Sequence, residues 1–273
     1  MKSVRNMEIN RSNIFEILKN TNIRPDKDYG QNFLLEPEIA KSIVELADIQ
    51  EFDKVLEIGP GLGSLTHFID MKNANFSVCD IDSKMIDFLK IFYKDRITYI
   101  NEDIRKVDIS TYDKIIGNLP YNITTELVEY LLLSAIDADV MVLMIQLEAF
   151  NRFYDLSGEN YGAISVLTRL CCDVEKHFVV KPGSFHPVPK CKSVVFTLKR
   201  NYKYYDEDLI GTYKLAKSLF LNRRKTIYNN LKNYLGDATK ASELLSKLNL
   251  DPNLRPENIA PEIYFRMYQL IQK

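Results

Sequence analysis

Five short apolar runs recur between residues 54 and 146, each separated from the next by a stretch of helical pattern. They are "KVLEIG" (54–59), "NFSVCD" (75–80), "ITYIN" (97–101), "KIIGN" (114–118) and "VMVLMIQ" (140–146). A strand covered on both faces reads as a continuous apolar run, because neither side can be polar. Helical patterns fill the gaps, as at Ser83–Phe92 and Thr124–Leu133. This alternation predicts an α/β fold: a Rossmann-like, doubly wound parallel sheet with helices on both faces. Two later runs, "DVEKHFVV" and "SVVFTLKR", flank the loop "KPGSFHPVPKCK" and read as a hairpin-type addition at one edge. Beyond Asn201 the strand signal stops and helical pattern takes over, punctuated by Gly236 and Pro252. The expected division is an N-terminal helical extension (1–28), a sheet domain (29–200) and a small all-α C-terminal domain (201–273).

The chain is 46% hydrophobic and 27% charged, a soluble globular composition. Its first twenty residues hold no apolar core of a signal peptide, and the longest apolar run, Val140 to Ile145, is far too short to span a bilayer. The cytoplasm and no membrane are therefore expected. Four cysteines without a C-x-x-C pair and three scattered histidines indicate neither a disulfide framework nor a metal site. The net charge of −1 conceals a local asymmetry. Lys176–Tyr205 carries seven basic residues and no acidic one, and Leu209–Gly236 carries six more, again without an acid. Aromatic residues are interleaved with them, and distribution rather than net charge decides whether a nucleic acid can be bound.

The first run leads into "LEIGPGLGSLT" (56–66), a strand, a glycine-rich turn and a helix start. That order places a ligand at the carboxyl edge of the sheet. Gly59, Gly61 and Gly63 let the backbone approach it closely. Ser64 stands where the dinucleotide fingerprint needs its third glycine, so a nucleoside cofactor without a pyrophosphate fits better. The second strand ends in Asp80, whose carboxylate can take both ribose hydroxyls, and the third in Asp103, which can accept from an exocyclic adenine amine. Each aspartate alone reads equally well as a helix cap. In a row after the glycine turn, they describe an adenosine site.

The fourth strand ends in Asn118-Leu119-Pro120-Tyr121, which resembles the (Asn/Asp/Ser)-Pro-Pro-(Tyr/Phe) signature of methyltransferases acting on exocyclic amines. Adenine N6 is a poor nucleophile, its lone pair being delocalised into the ring. Hydrogen bonds from that amine to the Asn118 side-chain oxygen and the Leu119 carbonyl favour a pyramidal nitrogen and stabilise the developing positive charge. Pro120 fixes the backbone so that both acceptors converge, and Tyr121 offers a π face to the base.

With these motifs in order, the chain closely resembles the ribosomal RNA adenine dimethyltransferase family from about Tyr29 to its end. The resemblance rests on "GQNFL" (30–34), "LEIGPGLGSLT", "EDIRKVD", "NLPYNI", "FHPVPKCKS" and "FLNRRKT". It implies a class I methyltransferase sheet and S-adenosyl-L-methionine as methyl donor. Asn32 and Leu34 would contact the cofactor from the N-terminal segment, Gly59 its methionine part, Asp80 its ribose, Asp103 its adenine, with Asn118 at the transfer centre. Phe185, before a Pro-x-Pro, matches the phenylalanine that with Tyr121 is thought to sandwich the target base, and a loop rich in proline and lysine suggests that it is exposed. Lys190, Lys192, Arg223, Arg224 and Lys225 are the expected RNA contacts, the last three at a helix start.

Two positions depart from the family pattern. Asp80 replaces the more frequent glutamate, and Cys191 an apolar valine; Cys191 reads as a small buried hydrophobe. Three functions stay open. One is dimethylation of two adjacent adenines in a hairpin loop near the 3′ end of 16S rRNA, within a precursor small ribosomal subunit and by a monomer. The second is the related large-subunit resistance enzyme, and the third a non-catalytic assembly factor. "NLPY" and "FLNRRKTIYNNL" resemble the first class.

Overall fold

The computed structural model describes residues 8–26, 29–69, 75–204 and 207–273, so positions 1–7 and 27–28 of the expected extension lie outside the described residues. In chain order the elements are α1 (Ile14–Thr21), β1 (Phe33–Leu34), α2 (Pro37–Glu45), β2 (Lys54–Ile58), β3 (Asn75–Cys79), α3 (Ser83–Tyr93), β4 (Thr98–Ile100), β5 (Lys114–Asn118), α4 (Thr124–Ser134) and β6 (Val140–Gln146). They continue as α5 (Leu147–Tyr154), α6 (Ala163–Cys171), β7 (Cys172–Val180), β8 (Phe185–His186), β9 (Ser193–Arg200), α7 (Leu209–Phe220), α8 (Ile227–Leu235), α9 (Ala238–Lys247) and α10 (Pro261–Gln272). Among the described residues no helix is long and apolar enough to cross a membrane.

The chain divides into two compact units. The first comprises the residues up to Leu147 together with Glu175–Arg200. Its seven-stranded sheet has the order β4-β3-β2-β5-β6-β9-β7. The five runs that define the rhythm of the sequence form its parallel part, and β9 runs antiparallel to β6, from Val140↔Lys199 to Gln146↔Ser193. Val55, Leu56, Ile115 and Ile116 are fully buried, which is why these strands show no alternation. From β2 the chain winds outward through β3 and β4, then returns to β5 on the other side. The carboxyl ends of β2 and β5 therefore flank the switch point, where open α/β sheets bind their ligands.

The N-terminal segment is part of this unit. Ile14, Ile17 and Ile23 are buried in the same apolar cluster as Phe33, Leu34 and Met85. A second, two-stranded sheet pairs β1 with β8, Leu34 opposite Phe185. Two-residue strands have no periodicity to read, and nothing in the sequence announces them.

The second unit contains Glu148–Val174 as well as the residues from Asn201 onward. Here the structure corrects the division expected at Arg200. Tyr161, Val166 and Leu170 are buried with Leu215, Leu219, Leu231 and Tyr264 in a separate core. The Tyr161 hydroxyl donates to the Ile259 carbonyl at 2.7 Å. The apolar face of α6 is visible in the sequence, but the partner that covers it lies some fifty residues further on.

Candidate active site

A cleft at the carboxyl edge of the sheet in the first unit is lined by the ends of β2, β3 and β5 and by the segment Tyr29–Phe33. The backbone at Gly59 (φ +65°) leaves β2 in a conformation that a side chain rarely adopts. The nearest atom a Cβ there would meet is the Asn118 backbone carbonyl oxygen at 3.7 Å, van der Waals contact, so the turn and the end of β5 lie side by side.

The Asp80 carboxylate follows β3. It accepts from the Asp82 N–H at 2.9 Å and from the Gly61 N–H at 3.4 Å, which fix its orientation beside the glycine turn. Burial pushes its pKa up to about 6, the two N–H donors opposing the shift. Asp103 caps the short helix at Ile104–Lys106 and takes the Arg105 guanidinium, with Nε at 2.9 Å and Nη2 at 2.5 Å; these bonds hold its carboxyl below the usual range. The same carboxylate thus caps the helix and lines the cleft. Exposed Ile81 and buried Ile104 line the same cleft.

On the opposite wall, Asn118 donates from Nδ2 to the Asn32 carbonyl at 3.1 Å. That bond sets the amide so that Oδ1 is its acceptor end, and Oδ1 is buried without a hydrogen-bond partner. A buried polar atom left unsatisfied costs about 1–3 kcal/mol and is rare away from functional sites. The Leu119 N–H donates to the Met144 carbonyl at 3.0 Å, and Thr124 Oγ1 donates to the Pro120 carbonyl at 3.0 Å, which hold the turn to β6 and α4. Tyr121 lines the cleft, its hydroxyl 2.5 Å from Ser193 Oγ. The segment Tyr29–Phe33 closes the side, and Gln31 anchors it by donating to Asp82 Oδ2 at 2.9 Å.

Asn32, Gly59, Gly61, Asp80, Asp103 and Asn118 therefore converge, with Leu119, Pro120 and Tyr121. Other expected residues do not. Leu34 is buried in the core and away from the cleft; its carbonyl accepts from Ser64 Oγ at 2.8 Å. Gly63 is not in the cleft lining; its φ of +88° is a backbone conformation that side chains rarely adopt, and a Cβ there would also lie 2.9 Å from Leu89 Cδ2. Phe185 is 1% exposed, paired in β8 and packed into the main core, not an exposed ring facing Tyr121. The loop displays Val188, Lys190 and Lys192 instead, and Cys191 is half-buried. Residues 221–225 are turns, not a helix start; α8 begins at Ile227 after the Thr226 cap. Arg223 is committed to Glu257 and to the Gly158 and Glu159 carbonyls, which leaves Arg224 and Lys225 as the exposed pair.

Three residues carry no signal of their role in the sequence. Gln31 and Ser193 lie inside recognisable motifs, but nothing in the sequence shows their partners. Glu57, in β2, is 1% exposed and hydrogen-bonded by Thr66 Oγ1 at 2.6 Å, and burial pushes its pKa up to about 8.

The family model of ribosomal RNA adenine dimethylase matches residues 6–273. "Ribosomal RNA small subunit methyltransferase A" of Malacoplasma penetrans is 36% identical over 259 residues, covering 92% of this chain and 93% of that one. The protein of the same name from Ureaplasma urealyticum is 33% identical and covers 97% and 99%. The fold is shared with a dimethyladenosine transferase from Plasmodium falciparum, with TM-score 0.76, 24% identity and coverage of 88% and 97%. A 23S rRNA methyltransferase has TM-score 0.68 at 23% identity and coverage of 89% and 100%. The match takes in the N-terminal segment and both units, and the chain belongs to the ribosomal RNA adenine dimethylase family.

Proposed function

We propose that the chain dimethylates N6 of two adjacent adenines in a hairpin loop near the 3′ end of small-subunit rRNA, within a precursor small ribosomal subunit, with S-adenosylmethionine as donor. The observation that carries this reading is Asn118 Oδ1, a buried acceptor without a partner at the end of β5, across the switch point from Gly59. An exocyclic amine is the donor it lacks. The cleft lining supplies Gly59 for the methionine part of the cofactor, the Asp80 carboxylate for the ribose, and Asp103 with Ile81 and Ile104 for the adenine. When bound, the cofactor supplies an electrophilic methyl group. The chain supplies the rest: Asn118 Oδ1 and the Leu119 carbonyl accept from the target amine, stabilise its developing charge and orient its lone pair, while Tyr121 backs the base.

The small-subunit substrate is supported by the names of relatives that are 32–36% identical. The shared fold does not separate it from a large-subunit enzyme. In the second unit Arg224 and Lys225, and in the first Lys190 and Lys192, are the exposed cations proposed to meet phosphates. Undermethylated small and large subunits are incubated with the protein and donor, and their nucleosides are analysed by mass spectrometry. N6,N6-dimethyladenosine in the small-subunit RNA is the expected product. Its appearance in the large subunit alone, or in neither, overturns the proposal.

A further inference from the structure

We infer that Ser193 is a positioning residue for methyl transfer, holding the Tyr121 ring in the orientation that receives the target base. This rests on the reading of Tyr121 as a wall of the base site. The turn that carries Tyr121 is fixed almost everywhere else: Asn118 by the Asn32 carbonyl, Leu119 by β6 and Pro120 by Thr124. What remains free is rotation of the tyrosine side chain. The 2.5 Å contact between its hydroxyl and Ser193 Oγ removes that freedom from the far end of the ring.

Ser193 is suited to the task. It is fully buried, it opens β9 opposite Gln146 of β6, and the carbonyl of its neighbour Lys192 accepts from the Leu147 N–H at 3.0 Å. Its hydroxyl therefore sits on a backbone that the sheet holds. A ring already locked in its stacking orientation loses no rotamer freedom when a base arrives, and binding energy is then available to align the reacting nitrogen. Ser193 also ends the motif that begins with Phe185. Phe185 itself is buried, and the contact this segment makes with Tyr121 runs through Ser193.

Four variants of the full chain are assayed on undermethylated small subunits at saturating donor: Ser193→Ala, Ser193→Thr, Tyr121→Phe and the double Ser193→Ala/Tyr121→Phe. Loss of one hydrogen bond should lower kcat about five- to tenfold in Ser193→Ala and in Tyr121→Phe. The double variant should be no slower than either single one, and Ser193→Thr should recover most of the rate. Cofactor affinity and melting temperature should change little. The inference is overturned if the two single effects multiply, or if the Ser193→Ala loss runs parallel to loss of cofactor affinity or of melting temperature. Tyr121→Ala separates the two levels. If it transfers methyl groups normally, the base-wall reading itself fails; if it is inactive while Ser193→Ala and Tyr121→Phe are both at full rate, only the role of Ser193 fails.

Discussion

In its proposed role on the ribose, the Asp80 side chain meets two opposed demands, because burial penalises the charge that the hydroxyls require. With its pKa pushed up to about 6, the carboxylate is present at pH 7.5 and largely protonated at pH 5. Cofactor affinity should therefore fall about tenfold between those values, one power of ten per pH unit below the pKa. Calorimetry across the range checks this, and Asp80→Asn should bind weakly and without the slope. A flat wild-type profile would remove Asp80 from the ribose. Glu57 makes a separate pH statement, about stability. Its folded pKa, about 8, is raised above the ordinary value of 4.5, so the folded chain binds the extra proton. The stability it contributes is present below pH 4.5 and is lost as pH rises to about 8. Glu57→Gln keeps a partner for Thr66 and removes the proton exchange. Its melting temperature should hold between pH 5.5 and 8, where that of the wild type declines; equal declines in both proteins would place the titration elsewhere. Asp80 and Asn118 are legible in the sequence because strand ends at a switch point are predictable positions. Glu57 is not, because a glutamate inside an apolar run says nothing of whether it faces water or a threonine.

At the scale of elements, the strands of the main sheet are legible almost to the residue, since buried parallel strands advertise themselves as apolar runs. The pair β1–β8 is not, and the error over Phe185 follows from it: a loop rich in proline and lysine suggests exposure, but β-pairing with Leu34 turns the ring inward. The basic segment at 221–225 shows the same limit. A stretch free of acids reads as free cations, yet Glu257 reaches Arg223 from far along the chain. The expected consequence is a split among neighbours. Arg224→Ala/Lys225→Ala should weaken binding to small subunits and flatten the plot of log affinity against log salt by about 0.7–0.9 for each phosphate no longer neutralised, with the melting temperature unchanged. Arg223→Ala should destabilise the chain by about 1–3 kcal/mol, through the stranded Glu257 carboxylate and the Gly158 and Glu159 carbonyls, and leave the salt slope nearly intact. Binding measured at several salt concentrations, with thermal melts, tests both. A slope reduced equally by Arg223→Ala would mean that all three cations meet phosphate.

For the whole molecule, the decisive fact is that the second unit is discontinuous, built from Glu148–Val174 and the residues after Asn201. A sheet unit that takes β9 and most of β7 from beyond that insertion cannot be excised by one cut. The boundary read from the sequence at Arg200 supplies the test. A fragment of residues 1–200 keeps α6 but loses α7 and α10, and with them the cover over Tyr161, Val166 and Leu170, each at most 1% exposed in the full chain. Burying a large apolar side chain is worth about 1.5–3 kcal/mol, so exposing three together should make the fragment bind a hydrophobic dye and associate, where the full chain does not. Replacing the three with polar residues in the same fragment should restore a monomer that still binds S-adenosylmethionine, since the cleft is lined by the first unit alone. Sedimentation and calorimetry distinguish the outcomes. If the unmodified fragment is monomeric, melts cooperatively and binds the cofactor at full affinity, then α6 is held by the sheet and the two-segment architecture of the second unit is wrong.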